Sequence, residues 1–305
     1  KNIPSLLTLN NGCKIPLNGI GTSRGMEKAD EVIYEAIKKG VRLIDCAPVY
    51  GTEQSVGEGI RKALNDEVVK REELFVISKV WPTSYDNIEE SLVNSLKSLQ
   101  VEYLDLLLLH WPTRVYDNEK KEFQRLPLHK IWPIMEGLVK RGLVKSIGLS
   151  NFNVQIMIDL LTYCEIKPAI NEFEVHPYWC RKGLVDFCQK NGINVIAYGS
   201  LVKGTYTTRY TTNTEFNLLE EKLIKDMAKK YEKSEAQIAI NWALSKNIIT
   251  IPRSSNKERI ANNYEANSFR LSKEDLKEID KLDQNKRFCD KLNEFTQFGS
   301  FDLLA

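Results

Sequence analysis

Three histidines in 305 residues, and six cysteines (Cys13, Cys46, Cys164, Cys180, Cys188 and Cys289) with no Cys-x-x-Cys pair, leave little material for a zinc cluster or a disulfide framework. Reduced intracellular thiols are the simpler reading. Net charge is scarce too. Forty-three basic residues against 41 acidic ones give +2, too weak a field to imply nucleic acid or an anionic membrane. No apolar run is long enough to span a bilayer, and Lys1-Asn2-Ile3-Pro4 leads into no secretory apolar core. The expectation is a cytoplasmic protein, a monomer or weak dimer, that binds a small molecule and neither metal, nucleic acid nor membrane.

What is present is a globular balance, 42% hydrophobic and 28% charged, over a length that suits one (β/α)8 barrel spanning 1–305. Residues 6–16 read as a hairpin around Asn10-Asn11-Gly12, which supplies a positive-φ turn and would plug or cap one barrel end. Apolar strands then alternate with amphipathic helices. The strands fall at 17–22, 41–46, 74–80, 104–110, 144–149, 168–174, 194–199 and 248–252. The helices fall near 28–39, 53–64, 87–99, 127–141, 153–163, 183–190 and 256–265, with 217–246 holding an extra helix. Near-continuous apolar strands, such as Leu106 to Leu109, are what a parallel sheet covered on both faces requires. An open doubly wound sheet competes, but Gly19, Gly21 and Gly25 put the third glycine of its fingerprint one place late.

Segments 111–126 and 201–216 and the tail beyond about 285 exceed the repeat. The first two leave strand C-termini, the face on which barrel sites are built. Two outcomes stay open for the tail, with Phe288, Phe295, Phe298 and Phe301: folding back over the barrel mouth, or ending as a partly ordered terminus. The Lys/Glu-rich stretches 219–235 and 272–282 read as solvated helix faces.

Chemistry gathers at the strand ends. Asp45 closes the second strand and Tyr50 follows on the loop leaving it; Lys79 closes the third strand and His110 the fourth. A buried acid needs a partner, and a phenol with a pKa of about 10 needs a cation before it can act as an acid at neutral pH. Lys79 can serve both, and a neutral His110 can orient a carbonyl oxygen. Each residue alone has an ordinary structural reading; together, at matching ends of consecutive strands, they fit a proton donor for carbonyl reduction. Ser150 and Asn151, closing the fifth strand, can hydrogen-bond a carboxamide, and the ring of Tyr198, closing the seventh, can stack on a flat ring. Arg253 and Ser254 close the eighth strand and Arg259 lies on the next helix, a set suited to phosphate. Trp81 and Trp111, just beyond Val80 and His110, would either flank a substrate, with Val49 as a neighbour, or pack the barrel rim, whereas Trp132, Trp179 and Trp242 read as packing residues.

Several stretches resemble signatures of the aldo-keto reductases, in their aldose reductase-like branch: Asp45-Cys46-Ala47-Pro48-Val49-Tyr50-Gly51, Ser78-Lys79-Val80-Trp81, Leu109-His110-Trp111-Pro112, Gly148-Leu149-Ser150-Asn151-Phe152, Glu174-Val175-His176-Pro177-Tyr178 and Ile251-Pro252-Arg253-Ser254. The resemblance covers nearly the whole chain. It implies an NADPH-dependent reduction of a carbonyl substrate, an aldehyde or aldose, with the cofactor extended across the C-terminal face of the barrel. It implies the tetrad Asp45, Tyr50, Lys79 and His110, with Tyr50 as acid. It also implies nicotinamide contacts from Ser150, Asn151, Glu172 and Tyr198, ribose and pyrophosphate contacts near Gly21 and Thr22, a 2′-phosphate on Arg253, Ser254 and Arg259, and adenine against Asn263.

The chain departs from this pattern at named places. Glu172 stands where the family usually has glutamine. Read as an anion it accepts but does not donate, and its charge would tighten the oxidised cofactor. Ser23 stands where an aromatic wall of the substrate pocket is common, Asn262 where an acidic adenine contact is frequent, and Arg253 where lysine is common. The competing functions are a ketone or steroid reductase, a non-catalytic cofactor-sensing subunit, and a sugar-phosphate barrel without nicotinamide. The last leaves Tyr50 and Lys79 without a task.

Overall fold

The computed structural model describes residues 2–23, 25–113, 116–117, 122–123, 126–202 and 216–289. The chain opens with β1 (Leu6–Thr8) and β2 (Lys14–Pro16), paired antiparallel with Leu6 opposite Pro16. Gly12 takes φ +87° in the turn between them, where a side chain would be strained. Eight strands then form one parallel sheet: β3 (Ile20–Gly21), β4 (Leu43–Asp45), β5 (Phe75–Val80), β6 (Leu106–Leu109), β9 (Ile147–Ser150), β10 (Ile170–Glu174), β11 (Asn194–Tyr198) and β12 (Ile248–Thr250). Each pairs with the next in that order. The long segment after β6 carries a short antiparallel pair, β7 (Tyr116–Asp117) and β8 (Glu122–Phe123).

The ring closes through Asn18. It bridges Thr250 in parallel, Thr250 N donates to Leu17 O at 3.0 Å, and the Thr250 hydroxyl donates to Asn18 Oδ1 at 2.9 Å. The expected first strand, 17–22, thus serves two neighbours in pieces: residues 17–19 meet β12 and residues 20–21 meet β4. The fold is a (β/α)8 barrel.

Ten helices lie among the described residues: α1 (Ala29–Lys38), α2 (Glu53–Asn65), α3 (Ile88–Leu99), α4 (Leu128–Lys140), α5 (Val154–Tyr163), α6 (Lys182–Lys190), α7 (Lys222–Tyr231), α8 (Glu235–Leu244), α9 (Lys257–Tyr264) and α10 (Lys273–Asp280). Both α7 and α8 fall between β11 and β12, where an extra helix was expected. None is long and apolar enough to cross a membrane. The 272–282 stretch is more than a solvated face. Asp275 of α10 is buried, accepts Lys230 Nζ at 2.7 and 2.8 Å together with the Tyr231 hydroxyl, and so docks α10 on α7.

Because side chains alternate along a strand, the apolar residues divide into two cores. Ile44, Val76, Leu107, Leu109, Leu149 and Val195 point outward to the helices. Leu43, Phe75, Ile77, Leu106, Leu108, Ile170, Ile196 and Ile249 fill the barrel, joined from below by Ile3, Leu9, Ile15 and Leu17. The hairpin therefore plugs the N-terminal end. Asn10 and Asn11 pin it there by donating to the carbonyls of Pro168 (2.9 Å) and Lys145 (3.0 Å), just before β10 and β9. Gly148 faces this packed interior, where a Cβ would stand 2.7 Å from Ile170 O and 2.8 Å from a Leu108 methyl.

Candidate active site

The inward-facing alternation that fills the barrel also builds its mouth. Two residues beyond Leu43, Ile77, Leu108, Ile170 and Ile196 stand Asp45, Lys79, His110, Glu172 and Tyr198. The top layer of the barrel interior is polar because each strand ends on a functional group instead of another aliphatic one.

Lys79 is the hub. Its ammonium makes a very short contact with Asp45 and donates to Cys46 O at 3.1 Å and to the Tyr50 hydroxyl at 3.4 Å; Glu172 Oε1 lies 3.3 Å away. The side chain has no solvent exposure, and its two carboxylate partners have 3% and 2%. Asp45 is held from behind, since the Thr22 amide and hydroxyl both donate to its carbonyl at 3.0 and 2.9 Å. Thr22 thus supports Asp45, and the Thr52 hydroxyl in turn donates to Thr22 O. Gly21 packs against Ile251 O, which a Cβ would approach to 2.8 Å.

One buried cation facing two acids sets the proton affinities. Burial lowers the Lys79 pKa, but the carboxyl groups of Asp45 and Glu172 outweigh it and the net shift is well upward. Burial raises Asp45 against the pull of Lys79. Burial, with repulsion from Asp45, holds the Glu172 carboxyl at about 8. The upward shift favours the protonated form, and a protonated carboxyl both donates and accepts. The expectation of an anionic Glu172 did not reckon with Asp45 on the same cation. Tyr50 also differs from expectation. Lys79 does lower its pKa, but burial of the hydroxyl raises it more, and the net shift is upward.

Aromatic rings wall the mouth. His110 meets Tyr50 edge to face at 5.7 Å between centroids and Trp81 at 5.0 Å. Val49 shares the 3₁₀ turn of Tyr50, Pro48–Tyr50. Tyr85 fixes Trp111, donating to its carbonyl at 2.6 Å and accepting from its amide at 3.2 Å. Trp111 packs with Cys289, Trp81, Trp179 and Tyr198. Trp179, expected as ordinary packing, belongs to this wall; Trp132 and Trp242 are fully buried under helices as expected.

β9 ends at Ser150, and Asn151 turns the chain at φ 66°, a left-handed conformation that asparagine tolerates better than most residues. Its amide nitrogen donates to His110 O at 3.0 Å and to Ser150 Oγ at 3.1 Å, and its oxygen accepts the Tyr198 hydroxyl at 2.7 Å. Tyr198 is thereby fixed beside β9. On the far rim, Arg253 donates to Gly25 O at 3.5 Å, Ser254 leads into α9, and Asn256 caps that helix by accepting Arg259 N at 2.9 Å. Arg259 is exposed and Asn263, one helical turn on, is buried.

Sequence reasoning missed what holds the tail. Glu174, fully buried, accepts the amides of Phe288 (3.0 Å) and Cys289 (2.9 Å), and His176 Nε2 lies 2.9 Å from the same carboxylate. Phe288 is buried among His176, Tyr178 and Phe216. Up to Cys289, therefore, the tail folds over the mouth. A second acid, Glu174, two residues past Glu172 on a strand that the parallel sheet buries throughout was the available signal. Phe295, Phe298 and Phe301 lie outside the described residues, as do 203–215 of the long segment after β11 and most of the loop between Thr113 and Leu126.

A barrel whose mouth holds a buried Lys–Asp pair against a tyrosine and a histidine is the frame of one enzyme class. The model of the Aldo/keto reductase family matches residues 17–284. The chain is 38% identical to an NADPH-dependent D-xylose reductase of Meyerozyma guilliermondii, over 92% of this chain and 95% of that one. It is 39% identical to an NADP-dependent D-sorbitol-6-phosphate dehydrogenase of Malus domestica, over 93% and 95%. It superposes on the aldose reductase of Schistosoma japonicum with a TM-score of 0.86 at 33% identity, covering 95% of each chain. The chain belongs to the aldo/keto reductase family.

Proposed function

We propose that this protein is an NADPH-dependent reductase that converts aldehydes and aldoses to alcohols and alditols, with Tyr50 as general acid. The observation that carries this reading is the Tyr50 hydroxyl 3.4 Å from Lys79 Nζ, with Asp45 on the same ammonium and the His110 and Trp81 rings above.

The residues suit the cofactor. Glu172 Oε2 is buried and receives no hydrogen bond from a donor among the described residues, with Asp45 and Lys79 beside the carboxyl, and Asn151 Oδ1 keeps a second lone pair, so both can meet a carboxamide beside Ser150. Tyr198 offers its ring on the adjoining strand end. Arg253, Ser254 and Arg259 offer cations and a hydroxyl at the start of α9, with Asn263 behind them, for the 2′-phosphate and adenine. In the ring these two groups stand at β9–β10 and at β12, with Gly21 and Thr22 at the end of β3, beside β12 and on the Arg253 side.

When bound, NADPH supplies the hydride to the carbonyl carbon. Tyr50 keeps its proton through the physiological range because burial raises its pKa, and it releases that proton only to an oxygen gathering alkoxide charge. Lys79, steadied by Asp45, then faces the resulting phenolate and limits its cost. His110 orients the carbonyl oxygen, while Trp81, Trp111 and Val49 exclude water around it. We place the enzyme in the cytoplasm as a monomer or weak dimer, which its six free thiols suit.

The test is NADPH consumption with glyceraldehyde, D-xylose, a long-chain aldehyde and a bulky ketone, using wild type and Tyr50→Phe. The wild type should turn over the aldehydes and the aldose, and the variant should lose about 10²–10⁴-fold in kcat while still binding NADPH. Tight NADPH binding without any wild-type turnover would instead describe a cofactor sensor.

A further inference from the structure

Lys79 serves two carboxyl groups, and they are unequal. Asp45 makes the closer contact, and Glu172 stands at 3.3 Å with Asp45 in hydrogen-bonding reach of its carboxyl; its second oxygen, Oε2, is buried and receives no hydrogen bond from a donor among the described residues. The titratable groups around Glu172 are Asp45 from β4, Lys79 from β5 and Tyr50 from the 3₁₀ turn. Its register neighbours, Ser150 on β9 and Ile196 on β11, carry no charge. Glu174, farther along β10, is committed to the amides of Phe288 and Cys289. One cation cannot compensate two fully buried anions, so the second acid keeps a proton until the pH forces it off. A glutamine here would be a fixed neutral amide. A glutamate resembles that amide when protonated and becomes an anion when it is not.

We propose that Glu172 is a proton-operated selector of cofactor redox state: protonated, it accommodates NADPH, and ionised, it favours the oxidised, positively charged nicotinamide. The inference rests on the function proposed above, since it takes the nicotinamide to lie over the ends of β9 and β10. With the carboxyl held at about 8, the change falls just above neutral. Acidic conditions then bias the centre toward carbonyl reduction and alkaline conditions toward alcohol oxidation. The coupling is reciprocal: an anion that favours NADP over NADPH about tenfold implies a Glu172 pKa about one unit lower in the NADP complex.

The experiment measures dissociation constants of NADP and NADPH by tryptophan fluorescence at about pH 6 and about pH 9, for wild type and Glu172→Gln. The 2′-phosphate titrates in both nucleotides, so its effect cancels in the ratio of the two constants. In the wild type, Kd(NADP)/Kd(NADPH) should fall about tenfold from the lower to the higher pH, and in Glu172→Gln it should stay flat. A wild-type ratio constant to within about twofold would overturn the proposal, as would an equal slope in the variant. If the variant does not fold, infrared difference spectra of the wild type decide. The buried carboxylic-acid band should vanish at a lower pH in the NADP complex than in the NADPH complex, and identical midpoints would overturn the proposal. Failure of the underlying function looks different, as a wild type that binds neither nucleotide.

Discussion

Two buried acid clusters occupy opposite ends of the same barrel, and they are compensated in opposite ways. At the N-terminal end, Asp105 precedes β6. Its Oδ2 accepts Arg71 at 2.8 Å and the Val76 amide at 3.0 Å, and its Oδ1 faces Lys145 at 3.3 Å. Both cations also lie over the Tyr103 ring, at 4.0 and 4.1 Å. Two partly hydrated cations surround one acid, and both its oxygens are engaged. At the mouth one cation with no exposure faces two acids, Asp45 and Glu172, which also face each other. The lower cluster fastens strands together. The upper one keeps an unmet requirement for a partner, which is where chemistry and ligands enter.

The largest break in that contrast should come from Lys79→Met. It leaves Asp45 and Glu172 buried without a cation, which costs about 3–5 kcal/mol of stability at neutral pH and abolishes turnover. Thermal denaturation checks the first part, and adding Asp45→Asn should restore most of the stability but none of the activity. Asp105→Asn should have the reverse profile: a loss of about 1–3 kcal/mol in urea unfolding, with kcat and KM within about twofold of wild type. Comparable losses of kcat at both ends would contradict the division of labour.

The most specific effect is the pH dependence of stability in Glu172→Gln. Glu172 is raised from 4.5 to about 8 in the folded protein, so folding takes up a proton between those values. The stability it contributes is fully present below about 4.5 and is lost as pH rises through about 8. The variant should therefore gain on the wild type by several degrees in Tm across that window. A difference in Tm that does not change with pH would mean that Glu172 is already ionised in the folded protein.

The tetrad was legible because alternation is a local rule. An apolar run that ends on a charged residue marks both a strand and its mouth, and Asp45, Lys79 and His110 each announce themselves without knowledge of the others. Glu172 was legible as a strand-end carboxyl but not as the second acid on Lys79. Its contact with Lys79 crosses the barrel interior, since β10 and β5 are separated by β9 and β6 in the sheet order, and exists only once the ring closes. The same holds for Glu174, whose partners lie 114 and 115 residues away in the tail. It holds again for Trp179, whose place in the wall depends on Cys289 arriving there. Closure itself was hidden, because residues 17–22 read as one strand although they serve two neighbours.

The central claim is that the polar layer at the mouth delivers a proton while NADPH delivers a hydride to the same carbonyl. The most direct measurement uses NADPH deuterated at C4 of the nicotinamide and an aldose substrate, followed by mass spectrometry of the alditol. The account predicts one deuterium on the former carbonyl carbon with wild type, and almost no labelled product with Tyr50→Phe in the same time. An alditol formed without deuterium, with either C4 face labelled, would contradict it.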